Sequence, residues 1–143
     1  MSVIYIDSSA FLRGCLADAA DHEACRRLLT TPPSAVASSE LLWLEADRAA
    51  IRIVNQDPTA HDLPNQVLKA LSYIQMIPVS RHLINTARRI PQVIKSLDAI
   101  HVASAESLAD ALDCVITYDK TMTTVLQQRG IPAMTATKFW ASK

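Results

Sequence analysis

The chain has 143 residues, half of them apolar, which is one domain's length with enough apolar surface for a core that needs no staples. Fourteen basic and fourteen acidic side chains cancel, which excludes nucleic-acid binding by bulk charge. No apolar run reaches the ~18 residues that span a bilayer, and MSVIYIDSSAF has neither the basic flank nor the long apolar stretch of a secretory signal, so the expected compartment is the cytoplasm. Cys15, Cys25 and Cys114 are scattered and odd in number, which argues against a disulfide framework or structural zinc and for small packing residues.

Taken in chain order, short β-rich runs alternate with longer helical stretches. VIYI (3–6) is a continuous apolar run, the mark of a strand buried on both faces. Asp7-Ser8-Ser9 then offers capping groups, and 9–17 and 21–30 read as helices. Pro32-Pro33 breaks the chain before a short strand, AVAS (35–38). Ser39 caps a long helix through about residue 56, ended by Asp57-Pro58. Residues 65–75 read as a helix, MIPVS (76–80) as a strand, and the following stretch to about Ile90 as a helix stopped by Pro91. Ser96 caps a helix from 97 to 112, CVITY (114–118) is a buried strand, 120–128 are helical up to Gly130, and IPAM (131–134) is a last strand. The expected fold class is α/β: a three-layer α/β/α sandwich around a mostly parallel sheet, in one domain spanning 1–143. Ligands of such sheets bind outside the carboxyl ends of the strands.

Two central strands end in an aspartate, Asp7 and Asp119. If they are parallel neighbours, their carboxylates converge at one sheet edge; aspartate after a strand is also an ordinary helix cap. In the helix predicted over 97–112, Asp98 lines up with Val102, Ala105, Ala109 and Leu112 and so heads the apolar stripe. His101 sits at the margin of that stripe and reads as a packed or boundary residue. In the helix after Ser39, Glu45 falls among Leu41, Leu42 and Ala49, while Glu40 falls on the outer arc beside Asp47. A buried carboxylate needs a cation, supplied for Glu45 by Arg48, by Arg52 or by a metal ion. Two charges ~5 Å apart at an effective dielectric of ~20 repel by about 3 kcal/mol, so four clustered carboxylates need protons or divalent cations. All-oxygen ligands favour Mg²⁺ or Mn²⁺ over zinc, and such ions suit phosphodiester hydrolysis.

These residues carry a resemblance. Over nearly its whole length the chain resembles the PIN-domain ribonucleases. YIDSSAF is similar to the family's first motif, with Asp7 as first acid and Ser9 as the hydroxyl beside the metal. SSELLWLEADRA resembles the second, with Glu45 as its acid; SLDAIHVASA is the most specific match and supplies Asp98; VITYDKTM resembles the fourth, with Asp119 as its acid and Thr117 beside it. The resemblance implies Asp7, Glu45, Asp98 and Asp119 as metal-binding catalytic residues, Mg²⁺ or Mn²⁺ as cofactor, and RNA as substrate. For a short single-domain member it implies a VapC-type toxin that cuts tRNA or rRNA, forms a homodimer and is silenced by a VapB-like antitoxin. One departure is Thr121, where some relatives carry a further acid that bears on a second metal.

Arg81, Arg88, Arg89 and Lys95 lie just upstream of Asp98, either as phosphate contacts or as a solvated face. Trp43 and Trp140 read as packing residues ahead of base-stacking ones. Two other functions stand beside the nuclease: a catalytically silent PIN fold that only binds, and a receiver-like phosphoacceptor domain. The second expects paired acids after the first strand and a phosphorylated Asp after the middle one, whereas here the first motif has one acid and neither AVAS nor MIPVS brings any.

Overall fold

Four apolar residues, Val3–Ile6, form β1, the buried middle strand of the sheet. The computed structural model describes residues 2–143. After β1 come α1 (Ser8–Cys15), α2 (His22–Thr30), β2 (Ala35–Ser39), α3 (Leu41–Gln56), α4 (Leu63–Leu71), β3 (Gln75–Ile77), α5 (Arg81–Arg88), α6 (Ser96–Glu106), β4 (Leu112–Ile116), α7 (Lys120–Gln128), β5 (Ala133–Met134) and α8 (Ala136–Ala141). The sheet order is β3-β2-β1-β4-β5 and every pairing is parallel. The strand order therefore reverses between β1 and β4, the switch point at which such sheets open a crevice beyond their carboxyl ends. Ile6 pairs with Ile116 there, so the residues after each strand, Asp7 and Thr117, emerge side by side.

Strand alternation divides the core between the two faces. Ile4, Ile6 and Ile116 pack with Phe11, Leu28, Leu42, Val67 and Phe139 under α1–α4 and α8. Tyr5 and Val115 pack with Val102, Met122 and Leu126 under α6 and α7. Burying each large apolar side chain contributes about 1.5–3 kcal/mol. The three-layer α/β/α sandwich expected from the element order is the fold observed. The cysteines are free, with Cys25 and Cys114 buried and Cys15 partly so.

Several boundaries differ from the expectation. The helix predicted over 97–112 stops at Glu106; a 3-10 turn, Ala109–Ala111, follows, with Ala109 at φ 49°, and Leu112 opens β4. Ser96 is not its cap, since the N-cap position is Lys95 and no side chain bonds there. Ser39 is not the N-cap of α3 either, that position being Glu40, but its hydroxyl accepts from the Leu41 N–H at 3.1 Å. The helix expected at 65–75 begins earlier, behind a Pro58–Ala60 turn, and ends at Leu71. The strands β3 and β5 shrink to three and two residues. Helix α8 was not anticipated; it carries Phe139 into the core and Trp140 onto α2, where the indole N–H donates to the Ala24 carbonyl at 2.9 Å.

Candidate metal and catalytic site

Asp7 follows β1 and caps α1. Its Oδ1 accepts from the Ala10 N–H at 3.0 Å and the Ser9 hydroxyl at 2.7 Å, and its Oδ2 from the Thr117 hydroxyl at 2.5 Å. It is buried, and burial raises its carboxyl above the ordinary range, opposed by hydrogen bonds from Thr117, Ser9 and Ala10. Asp119 repeats the arrangement on β4: it caps α7, accepting from the Met122 N–H at 2.8 Å. Ser9 and Thr117 stitch the two loops together. The Ser9 hydroxyl accepts from the Tyr118 N–H at 2.9 Å and the Thr117 hydroxyl from the Asp119 N–H at 3.1 Å. The capping reading is thus realised in both side chains, and the strands that precede them are parallel neighbours.

Asp98 stands in the first turn of α6, half-buried. Its carboxyl is raised first by burial, then by the charges of Asp119, Asp7 and Glu45, with His101 acting the other way. The charges of three acids from three other elements therefore bear on Asp98. Among the described residues none of them pairs with a lysine or an arginine. Arg48 and Arg52, the partners weighed for Glu45, are exposed. Glu45 pairs with His101 instead, Oε1 to Nε2 at 2.7 Å. His101 is fully buried, and its Nδ1 lies 2.6 Å from the Tyr5 hydroxyl. The packed reading of His101 holds, but its bond to Glu45 and the part played by Tyr5 were missed. A tyrosine inside a doubly buried strand was the signal, because its hydroxyl must find a partner there. Glu40 is no purely outer residue: its carboxylate crosses to the Val79 N–H at 2.8 Å.

Among the described residues no three Asp, Glu, His or Cys side chains close around one metal-sized point. The donor chemistry nevertheless fits a hard divalent cation. A carboxylate offers about four lone-pair sites; Asp7 uses three, Asp119 and Glu45 one each, and Asp98 none among the described residues. Mg²⁺ keeps several waters and binds through one or two carboxylates plus substrate phosphate, so an open set of acids suits it. A cavity of about 370 Å³ between α5 and α6 is lined by Ile77, His82, Leu83 and Glu106 and by none of the four acids.

The model of the PIN domain family matches residues 4–125, a span that takes in all four acids. The chain belongs to the PIN-domain family. As a PIN domain it is 30% identical over 132 residues to ribonuclease VapC46 of Mycobacterium tuberculosis, covering 92% of this chain and 95% of that one. Among solved structures it is similar to VapC20 of the same organism, described as a Sarcin-Ricin loop cleaving toxin. That match has a TM-score of 0.61 and 16% identity, covering 85% of this chain and 93% of the other, and it speaks for the fold. Membership of the PIN family sets aside the receiver-like alternative.

Proposed function

We propose that this PIN domain is a Mg²⁺- or Mn²⁺-dependent endoribonuclease, the toxin of a toxin–antitoxin pair. It hydrolyses phosphodiester bonds of a structured RNA of the tRNA or rRNA class. One observation carries the reading: the charges of Asp119, Asp7 and Glu45 all bear on the half-buried carboxyl of Asp98, and no lysine or arginine pairs with any of the four among the described residues. Such a cluster is adapted to an added cation. The length shared with VapC46 and the family match support the ribonuclease and toxin assignment.

Asp7, Glu45, Asp98 and Asp119 would hold the ion, with Ser9 and Thr117 fixing the Asp7 carboxylate. When bound, the ion would supply charge to the scissile phosphate and acidity to an attacking water. Asp98, which accepts no hydrogen bond among the described residues, would be the carboxylate placed to receive a proton, whereas one oxygen of Glu45 is already engaged by His101. Arg81, Arg88, Arg89 and Lys95 are exposed along α5 and the approach to α6 and contact RNA phosphates on the way in. Trp43 is 51% exposed and free to stack, whereas Trp140 is committed to α2. Among the described residues no helix is long and apolar enough to cross a membrane. We assign the protein to the cytoplasm, as a homodimer held silent by a VapB-like antitoxin, with residues 1–143 as its single domain.

The test is cleavage of total tRNA and rRNA fragments by purified protein with Mg²⁺, with Mn²⁺ and with EDTA. Metal-dependent products that disappear in Asp98→Asn support the nuclease. Wild-type protein that binds RNA but leaves it intact under every metal condition identifies a catalytically silent PIN fold instead.

A further inference from the structure

The buried pair behind Glu45 does more than fill the core. Three polar contacts run in series from the carboxyl end of β2 across β1 to α6 and on to α3. The Ser39 N–H donates to the Tyr5 hydroxyl at 3.1 Å, that hydroxyl lies 2.6 Å from Nδ1 of His101, and Nε2 of His101 lies 2.7 Å from Oε1 of Glu45. Tyr5 is 0% exposed and His101 1%. Their rings meet edge to face at 77°, so the imidazole cannot swing.

Two acceptors do not approach to 2.7 Å without a hydrogen between them; with Glu45 ionised, as a metal ligand is, that hydrogen belongs to Nε2. A phenol keeps its proton at neutral pH, and with the Ser39 N–H filling one lone pair of the Tyr5 hydroxyl, that proton serves Nδ1. The neighbouring serines spend their hydroxyl protons elsewhere, Ser38 on the Ile6 carbonyl at 2.6 Å and Ser104 on the Ile100 carbonyl at 2.7 Å. One tautomer of His101 is thereby selected, and its single N–H points at Glu45.

We infer that His101, held by Tyr5, is a positioning residue that fixes the Glu45 carboxylate by taking Oε1 and leaving Oε2, which meets no donor among the described residues, for the divalent ion. The inference rests on the assignment of Glu45 as a metal ligand. Glu45 is the one acid of the four carried in the body of a long helix on the far face of the sheet from α6, and it caps no helix. Asp7 and Asp119 are each held by an N–H of the helix they cap; among the described residues Glu45 has only His101 to hold it. Removing such outer partners of a ligand typically costs about 10–100-fold in metal affinity.

The experiment compares two amide replacements. In His101→Gln the side-chain amide nitrogen falls near the place of Nε2 and still donates to Glu45; in His101→Asn it falls near Nδ1 and does not reach. Mn²⁺ is titrated calorimetrically into RNA-free protein, and cleavage is followed against RNA and Mg²⁺ concentration. His101→Asn is expected to weaken Mn²⁺ binding by about tenfold or more and to lower kcat with KM for RNA unchanged, while His101→Gln recovers most of the binding. Tyr5→Phe, which removes one hydroxyl and keeps the ring, is expected to weaken binding in the same direction. In a Glu45→Gln background His101→Asn should cost nothing further, because it acts through Glu45. Equal Mn²⁺ affinities in His101→Asn, His101→Gln and wild type, beside a weakened Glu45→Gln, overturn the role of His101 and leave the metal site standing. Wild-type Mn²⁺ affinity in Glu45→Gln overturns the ligand assignment itself.

Discussion

Asp98 shows how a side chain suited to the proposed ion weighs against the metal-free fold. Burial and the charges of Asp119, Asp7 and Glu45 raise its carboxyl, so the folded chain holds that proton more tightly than the unfolded one. The stability this contributes is complete below the ordinary carboxylate value and is lost as pH rises through the raised value. At neutral pH the ionised group therefore weighs against the metal-free fold. Asp98→Asn in EDTA should melt at or above the wild-type temperature at pH 7, and the gap should close as pH falls toward about 4. Thermal unfolding across that range checks it, and a variant melting well below wild type at pH 7 contradicts it. Glu40 and Glu45, five residues apart, separate in another way. Glu40→Gln keeps an oxygen for the Val79 N–H and should change activity little, whereas Glu40→Ala loses that acceptor and should cost about 1 kcal/mol in urea unfolding. Glu45→Gln should instead remove most cleavage with little loss of stability; equal activity losses in Glu40→Gln and Glu45→Gln would mean the wrong glutamate had been chosen. The helical wheel separated the two and made Glu45 the candidate. The tie of Glu40 to Val79 was not, because it joins positions 39 residues apart.

Elements followed the sequence wherever local signals acted alone, and departed from it where pairing intervened. Helix α7 ends where Gly130 takes φ 78°, a conformation that side chains resist. Helix α6 stops short because Leu112 is needed to pair with Val3, and β4 absorbs an irregularity between Val3 and Ile4 in doing so. Helix propensity through 107–111 is worth only a few tenths of a kcal/mol per residue and yields to the sheet. Helix α8 has six residues, too few to show a period; packing of Phe139 makes it. The approach of α1 to α2 depends on Gly14. A Cβ there would meet Cδ1 of Leu29 at 2.5 Å and the Cys25 backbone carbon at 3.3 Å. Gly14→Ala should therefore destabilise by about 1 kcal/mol or more, the overpacking cost exceeding the helix-propensity gain. Chemical denaturation measures this, and shortening Leu29 in the same chain should restore part of the loss.

Across the whole molecule, the proposed site would link the acids to the stability of the fold through the ion. A divalent cation that binds only the folded chain at ~100 times its dissociation constant adds about 2.7 kcal/mol, which for a domain of this size is a rise of several degrees in Tm. Mg²⁺ should raise the wild-type Tm and should raise that of Asp7→Asn with Asp119→Asn much less. A thermal-shift titration decides it: an equal response places the ion away from the strand ends. The sequence by itself determined the α/β class, the strand run before each of the two capping aspartates and the inward face of Glu45, because those features follow from periods of two and 3.6 residues and from capping chemistry within a few positions. Only the tertiary structure decided that β1 and β4 are neighbours, that Thr117 bonds Asp7 across 110 positions, and that Glu45 answers to His101 rather than to an arginine of its own helix. Local patterning specifies which way a side chain faces; which partner it meets depends on crossovers that bring distant segments to one sheet edge.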